Sequence, residues 1–142
     1  MIFSANQIFS DAQAITATTL STNVIDLGAA GTPYGGKAAL NADVGKGNDI
    51  PLLAQVVADF NNLTSLTVAV ETGTTASLGT VLAQETIPVA DLVAGKQFSV
   101  DDLPQGVKRY LGFRYTVTGT APTTGAITAG ITMGNQTNVT GA

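Results

Sequence analysis

The chain has no cysteine, no histidine and no tryptophan in 142 residues. Without cysteine there are no disulfides and no thiolate metal sites. Without histidine the commonest general base and the commonest metal ligand are both missing. Any catalysis would have to rest on carboxylates, lysine, tyrosine or hydroxyls. The expectation is therefore a protein that is not an enzyme and carries no cofactor and no metal.

Charge is scarce as well. Asp, Glu, Lys and Arg together make up 11% of the chain, against roughly 25% in an ordinary soluble domain. Disorder does not explain this, because disordered chains are rich in charge and poor in apolar residues, whereas 44% of this one is hydrophobic. Two readings remain. Much of the surface is covered by partners, since stable contact surfaces are depleted in Lys and Glu, or the chain is a neutral, Thr-rich β-domain. Net charge is −4 with a pI near 4.3, which argues against attraction to nucleic acid. No apolar run approaches the roughly 20 residues a membrane-spanning helix needs. The start, Met1-Ile2-Phe3-Ser4, lacks a basic n-region and so does not read as a signal peptide. Aromatics, at 6%, are too few for a sugar-stacking platform.

What is present is strand pattern broken by Gly, Pro, Asn and Asp. Residues 15–20 and 23–27 read as short strands, and residues 28–37 as a turn-rich loop around Pro33. Residues 50–60 read as a strand buried on both faces. Asn61 and Asn62 then make a turn. Leu66, Val68 and Val70 alternate with Thr67, Ala69 and Glu71, as in a half-buried strand. Residues 80–87 and 97–100 read as strands, with a helical turn at 89–94 closed by Gly95. In residues 109–118, Leu111, Phe113, Tyr115 and Val117 share one face, opposite Tyr110, Gly112, Arg114 and Thr116. Ile127, Ala129, Ile131 and Met133 alternate with small residues in the last strand. These features predict a single all-β domain over 1–142, an antiparallel β-sandwich of jelly-roll type with about eight strands and little or no helix. Residues 1–12 read as an apolar N-terminal arm and 134–142 as a polar C-terminal tail.

Four motifs invite a chemical reading. Gly31-Thr-Pro-Tyr-Gly-Gly36-Lys37-Ala38 approaches the phosphate-loop pattern, but Ala38 stands where Ser or Thr would ligate magnesium, and no helix follows. The glycines are better read as turn residues. Asp101 and Asp102, or Asp43, Asn48 and Asp49, could start a calcium loop; neither has the EF-hand spacing, and Asx-turns are the plainer reading. Sequons at Asn62, Asn135 and Asn138 arise by chance in a Thr-rich chain and are not expected to be acceptors. Lys108, Arg109 and Arg114 fall on or beside one strand. They make either an anion or acidic-partner patch or, as the preferred reading, a solvated strand face or a local ion pair with Asp101 or Asp102.

Read together, certain segments carry a family likeness. Phe9-Ser-Asp-Ala-Gln-Ala-Ile-Thr-Ala-Thr, Ser21-Thr-Asn-Val-Ile-Asp-Leu-Gly28 and Gly31-Thr-Pro-Tyr-Gly resemble the start of the Bordetella-phage-type capsid cement (decoration) proteins of tailed bacteriophages. Gly45-Lys-Gly-Asn, Phe60-Asn-Asn-Leu-Thr-Ser-Leu-Thr, Arg109-Tyr-Leu and Tyr115-Thr-Val-Thr-Gly-Thr-Ala-Pro-Thr extend the likeness to about Ile131. The resemblance implies a jelly-roll subunit on the exterior of an icosahedral virion, made in the host bacterial cytoplasm. Such a subunit clamps adjacent copies of the major capsid protein and acts as a homodimer, with a trimer as the alternative. No direct nucleic-acid or membrane partner is implied. Candidate intersubunit contacts are Ile2, Phe3, Ile8 and Phe9 in the arm and Pro33 and Tyr34 in the loop, because apolar and aromatic anchors dominate interface energetics. Ile8 and Phe9 could equally plug the end of the sandwich. The rival class is a tail, baseplate or other receptor- or carbohydrate-binding β-module.

Overall fold

The computed structural model describes residues 3–39 and 49–134. The chain is all-β. In order its strands are β1 (Phe3–Ala14), β2 (Thr19–Leu20), β3 (Ile25–Asp26), β4 (Leu52–Ala58), β5 (Leu63–Gly73), β6 (Thr80–Pro88), β7 (Tyr110–Gly119) and β8 (Ala126–Thr132). A single 3-10 turn, Val89–Asp91, follows β6, where the sequence predicted a helical turn. One sheet has three strands in the order β1-β8-β4. The other has five, β2-β7-β5-β6 with β3 also on β7. Every pairing is antiparallel.

Two local interruptions hide the underlying topology. β2 and β3 pair with the same neighbour, Thr19 opposite Tyr115 and Asp26 opposite Tyr110, so they are one edge strand broken at residues 21–24. The Ser21 hydroxyl fills that break by accepting the Phe113 amide at 3.1 Å. On the other sheet, residues 95–103 run along the free edge of β4. The Val56 carbonyl accepts the Gly95 amide, the Ala54 carbonyl accepts Phe98, and the Asp101 carbonyl accepts Leu52. This segment forms only isolated bridges, at Gln55–Gln97 and Pro51–Asp102. Counting β2 with β3 as the second strand and 95–103 as the sixth, the sheet orders become 1-8-3-6 and 2-7-4-5. These are the interlocked Greek keys of a jelly roll.

The core follows from alternation. Leu66, Val68 and Val70 of β5, Leu111, Phe113 and Tyr115 of β7, Ile127 and Ala129 of β8, and Leu52, Ala54 and Val56 of β4 meet between the sheets. Phe9 of β1 lies edge-on to Phe113, with ring centroids 5.1 Å apart at 70°. The predicted two-sided burial of the strand after Pro51 holds for Leu52, Leu53 and Ala54, then fades to an exposed Ala58.

Three expectations need correction. Residues 3–12 are not an arm. They belong to β1, which pairs with β8 but slips register three times, so its side chains never alternate cleanly. Between the Phe3–Thr132 and Ile8–Gly130 pairs the strand bulges over residues 4–7, and Ala12 takes φ 45°. Secondly, β5 is half-buried only up to Val68, with Thr64 exposed and Ser65 and Thr67 partly so. Ala69 and Glu71 on its outer face are buried too, because residues 73–79 fold back over the sheet. A side chain at Gly112 would meet Leu78 Cδ1 at 3.0 Å, Ser21 Oγ at 3.2 Å and Val24 Cγ2 at 3.3 Å. The missing Cβ makes room for that cover. Thirdly, Met133 falls beyond β8 and is exposed instead of continuing the inward face of Ile127 and Ala129.

The expected turn at Asn61 and Asn62 is present. Asn62 has φ 65°, a left-handed conformation that Asn tolerates better than most residues. Asn61 accepts the Thr123 and Thr124 amides on Oδ1 and donates to Thr123 Oγ1. It thereby clamps the loop between β7 and β8. Of the expected tail, 134–142, all but Gly134 lies outside the described residues.

Candidate functional site

The two apolar clusters singled out as contact surfaces have different fates. Ile2 lies outside the described residues. Phe9 is fully buried against Phe113, so it plugs the sandwich and offers nothing to a partner. Phe3 and Ile8 are half-buried. Phe3 packs over the outer face of the three-stranded sheet, where a Cβ at Gly130 would lie 2.9 Å from its ring. Pro33 and Tyr34, by contrast, stand in the open. The Pro33 carbonyl accepts the Gly36 amide at 2.9 Å, and Gly35 has φ 77°, the positive value a type II turn requires at its third residue. Tyr34 is at the apex of this turn and is fully exposed. The Gly-Lys stretch that imitates a phosphate loop is therefore a turn on an exposed surface loop, and no helix begins at Lys37, Ala38 or Ala39.

The acidic clusters behave differently again. Asp101 and Asp102 lie in the sixth-strand segment, where the Asp101 carbonyl accepts the Leu52 amide and Asp102 bridges to Pro51. Asp43 and Asn48 lie outside the described residues, as do Asn135 and Asn138. Among the described residues no three Asp or Glu gather closely enough to hold a metal ion.

The basic residues are paired, though not with Asp101 or Asp102. Arg109 donates from Nε and Nη2 to the two carboxylate oxygens of Asp26, both at 2.8 Å, and lies 4.9 Å over the Tyr110 ring. The same carboxylate accepts the Gly28 amide at 2.9 Å. The Arg109 hydrogen bond, with the Gly28 amide second, holds the Asp26 carboxyl down at about 2, from 3.8. Arg109 is correspondingly raised by its bond to Asp26. Arg114 donates from Nε to both oxygens of Glu71 at 2.9 Å and from Nη2 to the Ser77 carbonyl. Lys108 Nζ donates to Thr80 Oγ1 at 2.9 Å. The sequence placed these three cations near one another; it could not name their partners, because which carboxylate faces which guanidinium depends on strand register.

Between the sheets lies a polar chain that composition did not signal. Tyr115 Oη meets Ser10 Oγ at 2.7 Å, Ser10 donates to Gln13 Oε1 at 2.7 Å, and Gln13 Nε2 donates to the Leu20 carbonyl. Burial pushes the Tyr115 hydroxyl above its ordinary value, with the Ser10 hydrogen bond opposing. A phenol locked into such a chain is a structural strut. No nucleophile, base and orienting group converge there.

One cavity of about 340 Å³ opens beside the Asp26–Arg109 pair. It is lined by Gly28, Ala29 and Ala30 after β3, Thr74 after β5, and Val107, Lys108 and Arg109 before β7.

Among known protein families, Bbp16 matches residues 9–131, a span that runs from Phe9 in β1 to the penultimate residue of β8. No curated protein matches the chain.

Proposed function

Since the chain belongs to the Bbp16 family, we propose that it is a phage protein, a non-enzymatic structural component of a tailed-phage particle, and more specifically a cement protein on the outside of the head. The observation that carries this reading is the family match over residues 9–131, which takes in nearly the whole jelly roll. Other features support it. The architecture recurs in viral capsid domains. Arg109 and Arg114 are tied into the fold by Asp26 and Glu71, and Tyr115 by Ser10. The low charge suits a subunit held between neighbours.

On this reading the subunit acts mechanically. Binding only to the assembled, expanded shell lowers the free energy of that state by mass action, and burying surface across seams between major capsid protein subunits opposes internal pressure. Tyr34 on its hydrogen-bonded turn is the exposed aromatic anchor, and self-association into a dimer would double the number of anchors per unit bound. The protein would be made in the host cytoplasm and reside on the capsid exterior.

Adding purified protein to heads that lack it tests the proposal. Saturable addition at regular lattice positions, seen by electron microscopy, with raised resistance of the heads to heat, is expected. Heads that stay bare at micromolar protein, or saturable binding to a glycan array instead, would sink it in favour of a receptor-binding module.

A further inference from the structure

The cavity beside Arg109 has a composition that selects a ligand. Gly28, Ala29, Ala30 and Val107 give it small or apolar lining, Thr74 a hydroxyl, and Lys108 and Arg109 two cations. Neither cation is exhausted. Arg109 spends its Nε and one Nη2 proton on Asp26, two of the five donors in a guanidinium. Lys108 spends one of its three Nζ donors on Thr80 Oγ1. Both are also held in place. The Lys108 amide donates to Thr72 Oγ1, and that hydroxyl donates to the Tyr110 carbonyl, each at 2.7 Å. The fork of Arg109 is fixed by its two bonds to Asp26.

We propose that this cavity is a docking pocket for an acidic side chain, a glutamate or aspartate on an extended segment of a partner polypeptide. Asp26 neutralises one of the two cations, so the pocket keeps a single net positive charge, which matches one carboxylate. A phosphate ester would be expected instead on several uncompensated cations or a nest of backbone amides. The small lining residues accept methylene groups, and about 340 Å³ is at the lower end of ligand-pocket sizes. That volume has room for a glutamate side chain and part of its neighbour. The inference stands on the isolated protein and does not depend on a role in the capsid.

Nuclear magnetic resonance titration of the purified full chain tests it, using an acetylated and amidated Gly-Glu-Glu-Gly peptide as probe. The Gly-Gln-Gln-Gly peptide and inorganic phosphate serve as comparisons. Expected are saturable shifts centred on Ala29, Ala30, Thr74 and Val107 with the glutamate peptide alone. Lys108→Met, which keeps the apolar stem, and Ala30→Leu, which narrows the cavity and keeps the charge, should each weaken binding about tenfold or more. Because both positions are at the surface, the variants should fold, as an unchanged spectrum elsewhere would confirm. The proposal is overturned if shifts do not saturate, if the glutamine peptide produces them equally, if both variants bind as tightly as the parent, or if phosphate binds there at the same concentration. The last result would make the pocket a free-anion site.

Discussion

Tyr115 Oη lies 2.7 Å from Ser10 Oγ, two hydroxyls 105 residues apart that join the three-stranded sheet to the five-stranded one. Serine has one proton, and Ser10 gives it to Gln13 Oε1. Tyr115 must therefore be the donor in this pair. The direction makes the two truncations unequal. Tyr115→Phe removes the donor and leaves Ser10 bonded to Gln13, at a cost of about 1 kcal/mol. Ser10→Ala leaves a buried phenol with no acceptor, and should cost nearer 2–3 kcal/mol. In a double-mutant cycle by chemical denaturation the double variant should be less destabilised than the two singles added. Additive costs would show that the hydroxyls are not coupled. The tyrosine also titrates late in the folded state. Its folded value is raised, so the stability it supports is intact below about pH 10, its unfolded value, and falls as pH rises beyond that. Tyr115→Phe should flatten this alkaline slope.

Glu71 and Arg114 form a pair whose halves differ in burial, 6% side-chain exposure for the glutamate and 32% for the arginine. Removing the arginine strands a carboxylate under residues 73–79. Removing the glutamate's charge leaves an arginine able to turn to water. Arg114→Met should therefore destabilise by about 3 kcal/mol, the lower end of the range for a broken buried pair, and Glu71→Gln by about half as much. Equal losses in urea denaturation would mean that the glutamate is better solvated than its position between β5 and the returning loop indicates.

Asp26 supplies a pH prediction of the opposite sign to that of Tyr115. Its carboxyl is held at about 2 in the folded chain against 3.8 otherwise, so the stabilisation is complete above pH 4 and disappears as pH falls toward 2. Asp26→Asn should remove that part of the acid slope of the melting temperature and leave the curve above pH 5 parallel to the parent. The amplitude will be small, since both partners are about 40% exposed and exposed pairs contribute little. A carboxyl resonance that titrates near pH 4 in the folded protein would refute the pairing.

How much of this could be read in the sequence depends on which strands obey the two-residue period. β5, β7 and β8 have clean inner faces, so alternation alone groups Leu66 with Val68, and Phe113 with Tyr115, on faces that the structure buries. β1 escaped because its bulge over residues 4–7 and the positive φ of Ala12 break the alternation. What remained looked like a loose apolar arm. The outer burial of Glu71 was equally hidden, since it depends on a loop folding back onto a glycine at position 112. Of the expected contact residues, Phe9 went to the core because an aromatic next to a bulge can reach Phe113 between the sheets. Pro33 and Tyr34 kept their exposed place because Pro and Gly on either side of a tyrosine define a tight turn whatever surrounds it.

That contrast yields the test of where the protein makes contact. Tyr34→Ala removes a fully exposed ring on a turn held by backbone alone, so folding stability should change by no more than about 0.5 kcal/mol. If Tyr34 anchors the subunit on the head, the same change should weaken binding by tenfold or more, as loss of a hot-spot aromatic does. Phe9→Ala should do the reverse. It empties a site packed against Phe113 and should cost about 3–5 kcal/mol of stability. Whatever fraction remains folded should bind heads with parental affinity, because no part of Phe9 reaches the surface. Denaturation curves and head-binding isotherms on the two variants separate the roles. Parental binding by Tyr34→Ala would move the contact surface away from the 33–36 turn, and weakened binding by folded Phe9→Ala would return it to β1.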